Sequence, residues 1–145
     1  MDMDTHLTPS EAQLSKLMSL PPAAPLAVLN LFEFNERANY QPEDPEYGTD
    51  AAEISGQDAY RRYGEVAGKF IQNLGGRIAF STAAEQVLIG PENANWDLAT
   101  IIYFPSRGAF MQMMADPDFQ KTSRHRKAAL KRHHMVHLNG EAFGR

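Results

Sequence analysis

The sequence predicts an α+β domain, an antiparallel sheet with its helices on one face. Three stretches carry that expectation. The first is WDLATIIYFPSR, residues 96–107, in which Leu98, Thr100, Ile102 and Phe104 alternate with Ala99, Ile101 and Tyr103. Both sets are largely apolar, so this strand is covered on both sides and belongs in the middle of a sheet. Pro105 cannot donate to a ladder, and Ser106 can accept from the free N–H groups of a helix that follows at once. The second stretch is PLAVLNLFEF, residues 25–34, a strand with Leu26, Val28, Asn30, Phe32 and Phe34 on one face. The third is an amphipathic helix over 55–74, opened by Ser55 and closed by Gly75. Its inward side holds Ala59, Tyr60, Tyr63, Val66, Ala67, Phe70, Ile71 and Leu74, and its outward side Arg61, Arg62, Glu65, Lys69 and Gln72.

The other elements follow in chain order. Thr8-Pro9-Ser10-Glu11 has the form of a capping box with proline at the first helical position. It predicts a helix over 9–20, with Leu14, Leu17 and Met18 as its stripe and Pro21-Pro22 as its stop. Residues 35–54 show no period and carry Glu36, Glu43, Asp44, Glu46, Asp50 and Glu53, which reads as a long acidic loop. Residues 76–82 and 85–90 read as two short strands joined by a tight turn. A helix over 106–115 carries Phe110, Met111, Met113 and Met114, and Asp116-Pro117 caps another reaching about Arg132. The inward line of that last helix reads as Phe119, Thr122, Arg126, Ala129 and Leu130, and a final strand covers 135–138. Without the leading helix the order is βαββαβ, the split-βαβ or ferredoxin-like order. Helices on one face leave the other to be covered, most simply by a second subunit, so a homodimer is expected.

Length suits one domain over 25–145, preceded by a helical extension over 1–24. With 43% hydrophobic and 22% charged residues, the chain has the balance of a globular protein that buries roughly two thirds of its unfolded surface. A net charge of −4 speaks against general nucleic-acid binding. The basic run of Lys121, Arg124, Arg126, Lys127, Lys131 and Arg132 reads as a solvated face, or one paired with the acidic loop. The absence of cysteine excludes disulfides, thiolate metal sites and cysteine nucleophiles. No run approaches the roughly 18 apolar residues of a membrane span, and the start MDMDTHLTPSEAQ is acidic, so a cytoplasmic protein without membrane contact is expected.

Few residues stand out chemically. Asn30 interrupts an apolar strand face, either to satisfy neighbouring backbone or to face a ligand at a pocket floor. Arg126 shares a helix side with Phe119 and Leu130, so it must be paired or snorkel. A structural partner would be Asp97, Asp118 or Glu33, and a functional one a substrate carboxylate held bidentately. His125 lies between Arg124 and Arg126, whose charge favours its neutral form. His133 and His137 share a strand face but lack a third ligand, so no metal and no cofactor is expected. None of the nucleophile-elbow, P-loop, dinucleotide or zincin signatures occurs.

The run from Trp96 to Leu130 resembles the hallmark of the DUF1330 family, small uncharacterised proteins of the dimeric α/β-barrel superfamily. The resemblance rests on Phe104, Pro105, Ser106, Phe110, Met111, Met114, Asp118, Phe119 and Arg126, with Ala59-Tyr60 and Gly75-Gly76-Arg77 upstream. It spans roughly residues 25–138, and the leading helix and the acidic loop depart from it. It implies a homodimer whose two sheets close into a barrel, each subunit keeping a pocket between sheet and helices. Superfamily relatives include monooxygenases, haem-degrading enzymes and isomerases, but fold alone assigns no reaction. The expected pocket has Phe32, Phe104, Phe110, Met111 and Met114 as walls, with Asn30, Tyr103 and Arg126 as polar groups and Arg107 at its mouth. Arg126 would anchor a carboxylated or aromatic small molecule, and Tyr60, Tyr63 or His125 would donate a proton if there is a reaction. A non-catalytic partner-recruiting module is the alternative, and a haem-handling or cofactor-independent monooxygenase a lesser one.

Overall fold

Four helices and a four-stranded antiparallel sheet make up the chain in a computed structural model that describes residues 7–143. Helix α1 (Glu11–Ser19) precedes strand β1 (Leu26–Phe34), helix α2 (Gly56–Asn73) and strand β2 (Arg77–Ala83). Strand β3 (Leu98–Phe104), helices α3 (Arg107–Ala115) and α4 (Pro117–Ala129), and strand β4 (Leu130–Asn139) complete it. The sheet order is β2-β3-β1-β4 with every neighbour antiparallel, so the fold is ferredoxin-like with an added N-terminal helix. As its two-sided apolar pattern requires, β3 lies inside the sheet.

The local end signals act where the sequence places them. Ser55 accepts from Asp58 N at the start of α2, and Gly75 ends that helix at φ 81, where a side chain is strained. Ser106 accepts from Ala109 N to open α3, and Asp116 caps α4 with Pro117 in its first turn. At α1 the cap is displaced by two residues. Ser10, not Thr8, accepts from Gln13 N, and the Gln13 side chain returns the bond, so the box is Ser10–Gln13 and the helix starts at Glu11. Residues 1–6 of the acidic start lie outside the described residues.

Two strand expectations are corrected. Residues 85–90 form no strand: β2 instead pairs with β3 across an irregular connection, leaving Leu88 81% and Ile89 92% exposed. β2 takes the longer, more apolar β3 as its ladder partner, and its own outer edge stays unpaired. Helix α4 stops at Ala129, three residues before Arg132, and β4 starts immediately and runs for 10 residues. The burial line of α4 is therefore Phe119, Thr122, His125, Ala128 and Ala129, with Arg126 half-buried at its edge.

Two apolar clusters hold the helices on the sheet. One gathers Leu26, Val28, Ile71, Phe104, Phe110, Met113 and Phe119; the other gathers Phe32, Tyr40, Ala59, Ala128, Ala129 and Leu130. The opposite sheet face carries Leu29, Leu31, Ile101, Phe80 and Val136, of which Phe80 is 41% and Val136 49% exposed. No helix among the described residues is long and apolar enough to cross a membrane.

Candidate functional site

Between the two apolar clusters runs a chain of polar side chains. Asn30, 3% exposed on β1, sits opposite Thr100 of β3 and donates from Nδ2 to its hydroxyl at 3.2 Å. Its Oδ1 lies 2.9 Å from Nε2 of His133, which is two residues off in register on β4. His133 Nδ1 in turn lies 3.1 Å from Nη1 of Arg126 on α4. A guanidinium only donates, so Nδ1 accepts and the imidazole proton sits on Nε2, facing Asn30. Burial, then the charge of Arg126, pushes the His133 imidazole down to about 3.

Aromatic rings enclose this chain. Phe32 stacks at 4.6 Å on His133 and at 4.7 Å on Tyr60, and Tyr60 meets Tyr63 at 5.6 Å. Burial raises the pKa of both tyrosines and Arg126 opposes the rise, so their hydroxyls stay protonated and lie within its field. Desolvation likewise lowers the pKa of Arg126, although an arginine remains charged at any working pH. The carboxylates expected to pair with Arg126 are engaged elsewhere. Glu33 bridges Lys131 and Arg132, Asp118 lies 3.9 Å from Lys121, and Asp97 accepts from Phe34 N. Among the described residues no carboxylate lies within ion-pair distance of Arg126.

Tyr60 also lines an open cleft of about 810 Å³ at one end of the sheet. Its apolar wall is Phe34, Leu98 and Ala83, its polar groups are Asn35, Ser55 and Gln57, and Glu36, Glu65, Asp97 and Arg61 are its charges. Tyr60 is thus common to the cleft and to the aromatic shell around Arg126.

The other expected site residues lie apart from this centre. Phe104 and Phe110 meet edge to face at 5.4 Å in the first apolar cluster, with Met111 and Met114 packed against it. Tyr103 is on the open sheet face beneath Arg77. Arg107 donates to Pro21 O, and its backbone N–H donates to Ala24 O, tying α3 to the segment before β1. His125 belongs to a second polar cluster that fastens the acidic loop. Tyr40 Oη is 2.7 Å from its Nδ1 and accepts from Arg62 at 3.2 Å, while Arg124 grips Glu46 through two contacts of 2.9 Å. That guanidinium holds the Glu46 carboxyl below the usual range. Burial, with Arg124 beside it, lowers the pKa of His125. His133 and Thr100 are the central residues that sequence reasoning left out of the pocket. The available signal was a pair of polar residues, Asn30 and Thr100, in apolar alternations of two strands.

Residues 45–140 match the family model described as a domain of unknown function, DUF1330. The chain belongs to the DUF1330 family. A solved structure of RPA0582, a protein of unknown function from Rhodopseudomonas palustris, is 30% identical over 92% of this chain and 95% of that one, with a TM-score of 0.80. The structure of methylated RPA0582 is 30% identical over 99% of this chain and 100% of that one, with a TM-score of 0.83. No curated protein matches the chain. The DUF1330 match includes Tyr60, Tyr63, Thr100, Arg126 and His133, whereas β1 with Asn30 precedes its first residue.

Proposed function

We propose that this DUF1330 protein binds a small molecule bearing a carboxylate and an apolar or aromatic body between its sheet and helices. The observation that carries the reading is Arg126, a half-buried cation set among Tyr60, Tyr63 and His133, with no carboxylate within ion-pair distance among the described residues. Taking a guanidinium out of water costs several kcal/mol unless a counter-charge returns it. A ligand carboxylate supplies that counter-charge with two parallel hydrogen bonds. The ligand body would lie against Tyr60, Phe34 and Leu98 in the cleft. We extend the proposal to a homodimer, because a second copy is the simplest cover for Leu29, Ile101 and Val136 on the open sheet face. No reaction is assigned.

A calorimetric titration with benzoate, phenylacetate and related aromatic carboxylates tests the ligand reading. The wild type should bind at least one of them, and Arg126→Ala should weaken that binding at least tenfold, the scale of a lost charged hydrogen bond. Equal affinity in the two proteins, or no binding by the wild type to any member of the series, overturns it.

A further inference from the structure

We infer that His133 and Asn30 are positioning residues that hold the Arg126 guanidinium in one orientation for a carboxylate ligand; the inference rests on the ligand reading above. The argument is a proton inventory. A guanidinium has five N–H donors, no acceptor, and stays protonated in proteins. The 3.1 Å contact from Nη1 to His133 Nδ1 therefore runs in one direction only. With its Nδ1 lone pair occupied, the imidazole carries its proton on Nε2, and Asn30 Oδ1 stands 2.9 Å away to receive it. That turns the Asn30 amide nitrogen toward Thr100 Oγ1 at 3.2 Å, where it donates again. Reversing either the tautomer or the amide sets donor against donor, so the whole chain has one self-consistent arrangement.

The mechanical consequence follows from where the links are rooted. Asn30 and His133 belong to adjacent sheet strands, whereas Arg126 is on α4. The chain thus pins a long, rotamer-rich side chain to the stiffest part of the fold. One pinned nitrogen leaves four N–H donors, and a fork already oriented loses less entropy when a carboxylate arrives. The same inventory gives His133 no free lone pair. It serves neither as a general base nor as a metal ligand while Arg126 is in place.

Two measurements test this, and the first needs no ligand. Histidine ring 15N spectra of the free wild type near neutral pH should show His133 as the Nε2–H tautomer. Benzoate titration then compares His133→Asn, whose side-chain oxygen can still accept from Arg126, with His133→Leu, which cannot. The leucine variant should lose about tenfold in affinity and the asparagine variant should retain most of it. A Nδ1–H tautomer with benzoate binding intact overturns the inference alone. Equal affinities in both variants and the wild type also overturn it. A Nε2–H tautomer in a wild type that binds no carboxylate removes the ligand reading and the positioning role with it. Should the leucine variant fail to fold, the wild-type tautomer and the asparagine variant still decide.

Discussion

Protonating His133 would create a charge away from water and set a new N–H against the Arg126 guanidinium, and its pKa falls to about 3 for those reasons. An unfolded histidine titrates near about 6.5. Between those two values the unfolded chain binds the proton and the folded chain does not, so stability rises with pH across the window and is lost as pH falls through it. The loss at its acid end is on the order of 3–5 kcal/mol from this residue alone. His125 and His137 are lowered too, each chiefly by burial, and add in the same direction. Urea unfolding at a series of pH values from about 7 to 4 should show a midpoint that declines, and His133→Asn should flatten the decline. Parallel curves for the two proteins would mean that His133 titrates normally in the folded state.

At the level of elements, one glycine decides how closely α2 approaches the sheet and α4. A Cβ on Gly56 would stand 2.1 Å from Asn35 O and 2.7 Å from Ala129 O, both backbone atoms that cannot swing away. The first turn of α2 therefore rests directly on the end of β1 and the end of α4. Asn35 strengthens the junction, since its side chain donates to Ala128 O at 3.0 Å and its N–H to Ala129 O at 2.8 Å. Gly56→Ala should cost about 1–3 kcal/mol by forcing these backbones apart, despite alanine's better helix propensity. Because Ser55, Gln57 and Tyr60 line the cleft, the same variant should also weaken carboxylate binding. Chemical denaturation and titration check the two parts, and an alanine variant as stable as the wild type contradicts the packing described.

For the molecule as a whole, the decisive feature is a sheet with helices on one face and half-exposed apolar residues on the other. Leu29 and Ile101 are register partners near its middle, with Val136 beside Leu29 on the edge strand. Under the proposed dimer, Leu29→Asp puts an unpaired charge into the contact and should weaken association at least tenfold while leaving the fold intact. Sedimentation velocity reads this directly. A wild type that sediments as a monomer at micromolar concentration ends the dimer proposal, and a variant that still dimerises moves the contact elsewhere.

Helix ends were legible from the chain because caps are local: Ser55, Ser106 and Asp116 each bond a backbone N–H within three residues. The alternation in 25–34 and 98–104 likewise fixed which side chains share a face, so Asn30 stood out before any fold was known. Even α1 was legible in kind, although its cap is Ser10 and not the expected Thr8, because the reciprocal bond comes from Gln13. Other features depend on partners distant in the chain. Residues 85–90 have the composition of a strand, but β2 pairs with β3 instead of with them, and α4 ends at Ala129 because β4 pairs with β1 as far as Leu130. The central polar chain is of this kind too. His133 lies 103 residues from Asn30 and seven from Arg126, across a helix-to-strand junction that no local signal marks. Which face a side chain takes follows from backbone geometry and is written in its neighbours. Which groups meet across the sheet follows from strand order and register, and only the folded chain settles that.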